Sequence, residues 1–222
     1  MANDLKDYYK KELPLVVWAN ILIIEILLVG IDKIIIILNS LKDFSVAGFI
    51  EPMIMMVIPA IAAIFTKFMA DMVPSRLKDK IIYWIWGRPG DTIFIQIKNS
   101  DNDKRFSYKQ AYQKYKVIYD ELERINDSEK RCKFENENWY KIYKKYKNEG
   151  SVFSAQKDFL FYRDLTVVLI EIFSLYLLCC IVSLLSWQSV ILGIILVEIV
   201  CTYCIAHIKA VRFVENVIAM DL

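Results

Sequence analysis

Residues 189–207 read SVILGIILVEIVCTYCIAH, an apolar run with a single carboxylate, Glu198, near its middle. Roughly 20 apolar residues at about 1.5 Å rise match a hydrocarbon core of about 30 Å, so this stretch has the length and chemistry of a membrane-crossing helix. Three further runs share both properties. Leu13–Leu38 holds Glu25 and Asp32, Phe44–Ala70 holds Glu51, and Leu165–Trp187 holds Glu171. Helices in soluble cores rarely run this long. The composition agrees, at 56% hydrophobic residues and a mean hydropathy of +0.34 despite a polar centre.

The expected fold is an all-α membrane protein with four transmembrane helices and a mainly helical cytoplasmic domain inserted between helices 2 and 3. Residues 1–70 would form an N-terminal arm and the first two spans, 71–164 the cytoplasmic domain, 165–208 spans three and four, and 209–222 a cytoplasmic tail. Basic residues set the orientation, because they stay on the cytoplasmic side of short flanks. Lys6, Lys10 and Lys11 precede the first run, and Lys209 and Arg212 follow the last. The link around Ser186–Ser189 has no basic residue, and the one between the first two runs has only Lys42. Both termini are therefore expected in the cytoplasm. The first run is too long for a signal core and no small-residue cleavage pattern follows it, so it is expected to remain as a helix, with Pro14 in its first turn. Pro59 inside the second run is expected to kink it, freeing a carbonyl near Met55.

A carboxylate at membrane depth costs at least about 2.5 kcal/mol on insertion scales and usually faces a bundle interior or water. Glu25 and Asp32 are seven residues apart, about 20° on a continuous helix, and would share one face. Lys33 beside Asp32 makes Glu25 the stronger pore group. Glu198 shares a stripe with Thr202 and Lys209, and Glu171 lies about two turns inside the third run with Ser174 one turn on. Glu51, near the end of its run, fits an interfacial position. The candidate pore-lining set is Glu25, Asp32, Glu171, Glu198 and Thr202. The competing reading has each acid protonated and hydrogen-bonded between helices. A four-helix protomer is too thin to enclose much water, so a pore implies a closed homo-oligomer with a ring of carboxylates.

From Asp71 to Asp164 the chain carries 20 lysines and arginines against 15 aspartates and glutamates, and 18 of its 30 aromatic residues. Ser75–Trp86 reads as an amphipathic, aromatic helix after Pro74, suited to the membrane interface. The turn Gly87-Arg88-Pro89-Gly90 breaks it. Thr92–Ile97 (TIFIQI) has the β-branched character of a short strand, and Val152–Asp164 reads as a helix feeding the third run. Tyr108, Tyr112, Tyr115 and Tyr119 recur at the spacing of one helical face. In Trp139–Lys147 (WYKIYKKYK), Trp139, Tyr143 and Tyr146 fall on one side and Lys141, Lys144 and Lys145 on the other. Helical spacing favours aromatic faces as core, with lysines solvated or on lipid headgroups. The alternative is an oligonucleotide stacked on the rings and neutralised by the lysines. Its candidate ligand-binding residues are Trp139, Tyr140, Lys141, Tyr143, Lys144, Lys145 and Lys147. Ser75–Trp86 and Val152–Asp164 would be the only covalent links able to pass a signal to the spans.

No catalytic constellation assembles: His207 is the sole histidine, and Gly87 and Gly90 flank a proline turn unlike any phosphate-binding loop. An enzyme is not expected, nor a cofactor or metal. Cys201 and His207 point about 120° apart on a helix, which argues against a metal site with Cys204, and Cys132, Cys179 and Cys180 read as apolar packing in a reducing compartment.

The layout of two spans, a cytoplasmic domain and two more spans, with Pro89-Gly90, Asn136-Glu137-Asn138-Trp139-Tyr140 and Arg163-Asp164 before the third span, resembles small four-span membrane effectors of bacterial anti-phage operons. These are the membrane partners of nucleotidyltransferases in CBASS-like and Hailong-like systems. The resemblance implies an inner-membrane channel effector, favours a homo-tetramer, and implies gating by an oligonucleotide or single-stranded DNA ligand made by a nucleotidyltransferase partner. Outside that family, the same residues fit a non-conducting membrane scaffold or immunity-type protein that binds a partner chain through its cytoplasmic domain.

Overall fold

The computed structural model describes Leu5, residues 12–30, Met53, Val57, residues 59–65, Phe68, and residues 71–99 and 104–222. Helix accounts for 83% of it, with no strand among the described residues. The chain divides into two compact units, one made of Met1–Lys78 with Arg163–Tyr203 and the other of Asp79–Tyr162 with Cys204–Leu222.

In the first unit, α1 (Glu12–Val29) buries Leu13 and Val17, one turn apart on the same side. It stops where Gly30 turns left-handed at φ +88° and donates its N–H to the Ile26 carbonyl at 3.0 Å. Glycine pays no Cβ penalty there, which makes it the usual helix terminator. α1 therefore carries Glu25, while Asp32, expected on the same face, follows Gly30 outside the described residues. Asp32, Glu51 and Met55 lie outside the described residues, as does most of the second run.

Two long helices, α7 (Gly150–Ile181) and α8 (Ser189–Asp221), complete this unit with their apolar halves. At 32 and 33 residues they reach about 50 Å, well beyond a hydrocarbon core. With α1 they are the three described helices long and apolar enough to cross a membrane. Leu165, Val168, Leu169, Ile172 and Tyr176 of α7 are buried at helical spacing, as are Ile191, Leu192 and Ile195 of α8, while Leu178, Ile181, Val190, Val197 and Val200 are exposed. That split is what a hydrocarbon solvent permits. Tyr176 closes the connection between the helices, its hydroxyl donating to the Ser186 carbonyl at 3.0 Å and accepting from the Gln188 N–H at 3.2 Å. Where the apolar run of α7 begins, Asp164 accepts from Arg163 (3.0 and 3.1 Å) and pairs with Lys78 (3.3 Å), all three side chains buried.

The second unit starts along α2 (Ser75–Ile82), which ends short of the expected Trp86, and the chain turns at Gly87, φ +70°. A 3-10 turn, Pro89–Asp91, leads into α3 (Ile93–Asn99). The short strand expected at Thr92–Ile97 is thus a helix. Its β-branched residues find no neighbouring strand among the described residues, and Ile93, Phe94 and Ile97 fall on one helical side that is buried. The helix start is anchored from 41 residues away. Glu135 Oε2 accepts the Phe94 N–H at 2.8 Å and the Ile95 N–H at 3.3 Å, taking two first-turn donors that have no partner within the helix.

Next come α4 (Tyr108–Lys114), opened by a Ser107/Gln110 capping box, and α5 (Lys116–Arg124). Asp127 caps α6 (Ser128–Tyr146), accepting from the Glu129 and Lys130 N–H groups at 2.9 and 3.0 Å. The core joins Phe94, Tyr115, Tyr119, Trp139, Ile142 and Val152 to Phe213, Val214, Val217 and Ile218. Those last four belong to the C-terminal half of α8. The segment expected as a cytoplasmic tail is therefore a wall of the core, and α8 is a third covalent link between the units, beside α2 and α7. The sequence reading missed this because the apolar spacing after Lys209 is diluted by charged residues.

The 3-10 turn packs on α6 so closely that a Cβ on Gly90 would meet Asn136 Oδ1 at 3.1 Å and Trp139 Cε3 at 3.3 Å. Overfilling a packed site of this kind costs about 1–3 kcal/mol. Gly90→Ala is expected to lower the midpoint of thermal unfolding followed by tryptophan fluorescence, with Gly87→Ala, which meets no atom but sits at positive φ, as the comparison for strain without overpacking.

Candidate functional site

The three described membrane acids share one property. Glu25 on α1, Glu171 on α7 and Glu198 on α8 are each half-buried, and each keeps its Oε2 atom out of solvent with no hydrogen-bond partner among the described residues. Leaving a buried acceptor unmatched costs about 1–3 kcal/mol, more if it is charged. Such a group is stable only with a proton, a cation, water or a neighbouring chain against it. Lys78 and Asp71 lie within electrostatic reach of Glu171, seven residues along α7 from Asp164. The polar neighbours expected on these stripes bond to the backbone of their own helices. Thr202 donates its hydroxyl to the Glu198 and Ile199 carbonyls at 2.8 and 3.1 Å, and Ser174 donates to Ile170 at 2.8 Å. Thr202 thus reaches its own backbone, leaving the carboxylates as the chemically distinctive groups. Lys209, expected to continue the Glu198 stripe, pairs with Asp158 at 2.6 Å.

In the second unit the tyrosines form a packed cluster. Tyr108, Tyr112 and Tyr119 lie within 5.5–5.8 Å of one another, and Phe94 meets Tyr115 and Tyr119 edge-on at 5.4 and 6.0 Å. They do not sit on one straight helix, because the chain breaks between α4 and α5 at Tyr115, whose hydroxyl donates to Asp221 at 2.6 Å. Burial, the Asp221 hydrogen bond and neighbouring charge push the Tyr115 phenol well above its ordinary value.

The proposed ligand residues on α6 divide by exposure. Trp139 is corrected to a core residue: its indole N–H donates to the Val214 carbonyl at 3.3 Å, and its ring stacks on Tyr143 at 5.6 Å. Tyr143 is half-buried and donates to Gln156 at 3.0 Å. Tyr140, Lys141, Lys144, Lys145 and Lys147 are exposed, with the Lys144 ammonium 4.8 Å above the Tyr140 ring. The outer face of α6 is therefore basic with one accessible aromatic, while its rings mostly serve the core. Among the described residues no group of three His, Cys, Asp or Glu side chains is placed to hold a metal ion. Trp86 packs on His207, with ring centroids 4.6 Å apart.

Sequence reasoning missed Glu135. It is fully buried, its second oxygen has no hydrogen-bond partner among the described residues, and the Tyr119 hydroxyl, also unmatched, lies within its electrostatic reach. The hint was a lone carboxylate in the inward position one turn before Trp139. Comparison with protein-family models, with curated proteins and with solved structures finds no match. The functional reading accordingly rests on the residues of this chain.

Burial pushes the Glu135 carboxyl up to about 7, against the Ile95 and Phe94 N–H groups and Arg131, which lower it, and with Asp91, which raises it. A carboxyl raised on folding gives stability that is complete below the unfolded value of 4.5 and is lost as pH rises through the folded value. The second unit is expected to lose on the order of 3 kcal/mol between about pH 4.5 and pH 7.5. Chemical denaturation of the detergent-solubilised protein across that range should show this slope, and Glu135→Gln, which still accepts from both amides and can donate to Tyr119, should flatten it.

Proposed function

We propose that the protein is a homo-oligomeric, non-enzymatic effector that conducts ions across a bacterial inner membrane, in the manner of anti-phage membrane effectors. In this reading the chain crosses the bilayer four times, with both termini and the inserted domain in the cytoplasm. Opening depolarises the cell, and an oligonucleotide made by a nucleotidyltransferase partner sets the gate through the cytoplasmic domain. One observation carries the proposal: each of three membrane-length helices holds a carboxylate oxygen that is shielded from solvent yet unmatched among the described residues. A structural acid of this kind would be expected to find a donor on a neighbouring helix. A pore acid faces the seam where copies meet, receiving water and cations only once the ring has closed. Carboxylates in such a ring select cations over anions.

Purified protein in liposomes should pass potassium, and Glu25→Gln, Glu171→Gln and Glu198→Gln should each reduce that flux severalfold and weaken cation selectivity. Equal flux in all three variants would remove these acids from the path. No flux together with a stable complex with a partner protein would favour the scaffold reading. On the ligand side, Lys144→Glu with Lys145→Glu should weaken binding of a short single-stranded DNA and reduce the slope of log affinity against log salt by about 1–2. An unchanged slope would place those lysines outside the contact.

A further inference from the structure

We propose that the turn after α2, with Trp84 and Ile85 at its tip, is a lipid anchor that inserts at the boundary between headgroups and acyl chains and holds the second unit to the bilayer surface by apolar contact. The sequence places these aromatic residues on a helix reaching Trp86, but α2 ends at Ile82 and the turn presents them. The inference rests on the functional reading above only for the chain's crossing of a bilayer.

Trp84 is 85% exposed and the adjacent Ile85 is 69% exposed, whereas Pro89 and Gly90, only a few residues on, are buried. Large apolar side chains standing together this far out of a folded surface mark a place where a partner receives them. The backbone beneath the pair is closed on itself. Tyr83 donates its N–H to the Asp79 carbonyl at 2.9 Å, Gly87 donates to the Tyr83 carbonyl at 3.0 Å, and Gly87 ends the turn at φ +70°. A tip fixed in this way loses little conformational entropy when it docks.

The neighbouring rings identify the partner as lipid. Trp86 packs on His207 with centroids 4.6 Å apart, and His207 closes the apolar run that begins at Ser189 on α8. Tyr83 stacks on Phe159 at 5.9 Å, six residues before the apolar run of α7 opens at Leu165. The turn is thus tied to both long helices close to where their sequences pass between apolar and polar, which is the depth that tryptophan favours in a bilayer. Ile208, next after His207 on α8, is 62% exposed and adds apolar surface at that level. Charge does not drive the docking. From Asp79 to Asp91 the chain sets Lys80 and Arg88 against Asp79 and Asp91, with no surplus of either sign, and Arg88 lies within electrostatic reach of Asp91. The tip therefore recognises the interfacial layer itself, and anionic lipid adds nothing to its hold.

Depth-dependent fluorescence quenching tests the anchor. Full-length protein is placed in phosphatidylcholine nanodiscs whose acyl chains carry bromine, a quencher of tryptophan emission, either near the glycerol end or near the bilayer centre. Subtracting the emission of Trp84→Phe, a conservative change at an exposed position, isolates Trp84 from the other four tryptophans. For an interfacial side chain, bromine near the glycerol should quench that component at least about twofold more than bromine at the centre, and dissolved iodide should barely reach it. Ile85→Asp should weaken the quenching by shallow bromine and raise that by iodide severalfold. Replacing part of the lipid with phosphatidylglycerol should leave the pattern unchanged. Quenching by iodide and by neither bromine places Trp84 in water and overturns the anchor. Protection from all three quenchers overturns it in favour of a protein contact, with a second copy or another chain. A pattern that appears only with phosphatidylglycerol overturns docking by apolar contact. An alkaline wash of native membranes keeps this claim apart from the spanning one: a chain that is washed off sinks the crossing of the bilayer, whereas a retained chain with a water-facing Trp84 sinks the anchor alone.

Discussion

A polar group taken out of water must be matched elsewhere, and this constraint bears on both units of the protein. In the second unit the chain largely meets it internally. Glu135 takes the amides that open α3, Ser107 and Asp127 take those that open α4 and α6, and Asn216 joins Arg105 to the backbone of α7. In the first unit Thr202, Ser174 and Tyr176 are matched, whereas one oxygen of Glu25, Glu171 and Glu198 is not. The second unit also keeps Glu135 Oε1 and the Tyr119 hydroxyl buried without a hydrogen-bond partner among the described residues, so what distinguishes the first unit is that its unmatched carboxylates lie on helices of membrane length.

Much of the architecture was legible because hydrocarbon imposes a simple code. Apolar runs of sufficient length give α1 and the inner halves of α7 and α8, and the polar, small residues around Ser186 mark the connection between them. Helical spacing of Tyr108, Tyr112, Tyr115 and Tyr119 identified core-forming aromatics, although not the break at Tyr115. Other features depend on partners distant in sequence. The β-branched TIFIQI segment contains nothing that announces a helix, since two of its first-turn amides are held by a carboxylate 41 positions away. The packing of Pro89-Gly90 against Asn136 and Trp139 joins two short motifs that appear unrelated when read along the chain.

The candidate site was legible in kind and incomplete in detail. Acids within apolar runs are visible by inspection, but whether an oxygen finds a donor is a three-dimensional matter. The WYKIYKKYK segment reads as aromatic on one side and basic on the other, and its charged side is indeed exposed, while Trp139 is committed to the core. A cleft lined by Arg105, Ser151, Arg212 and Asn216 was invisible in the sequence, as its residues come from three segments spread over more than 100 positions.

The position of Phe213, Val214, Val217 and Ile218 has a consequence for biosynthesis. The second unit cannot close its interior until the ribosome has translated past Ile218, by which time the earlier apolar helices have already been handed to the insertion machinery. Assembly is thereby ordered in time, with the second unit completed only as the last turns of α8 emerge. A nascent chain stalled before that point would leave aromatic surface uncovered, giving quality-control proteases a means to remove unfinished copies from the membrane.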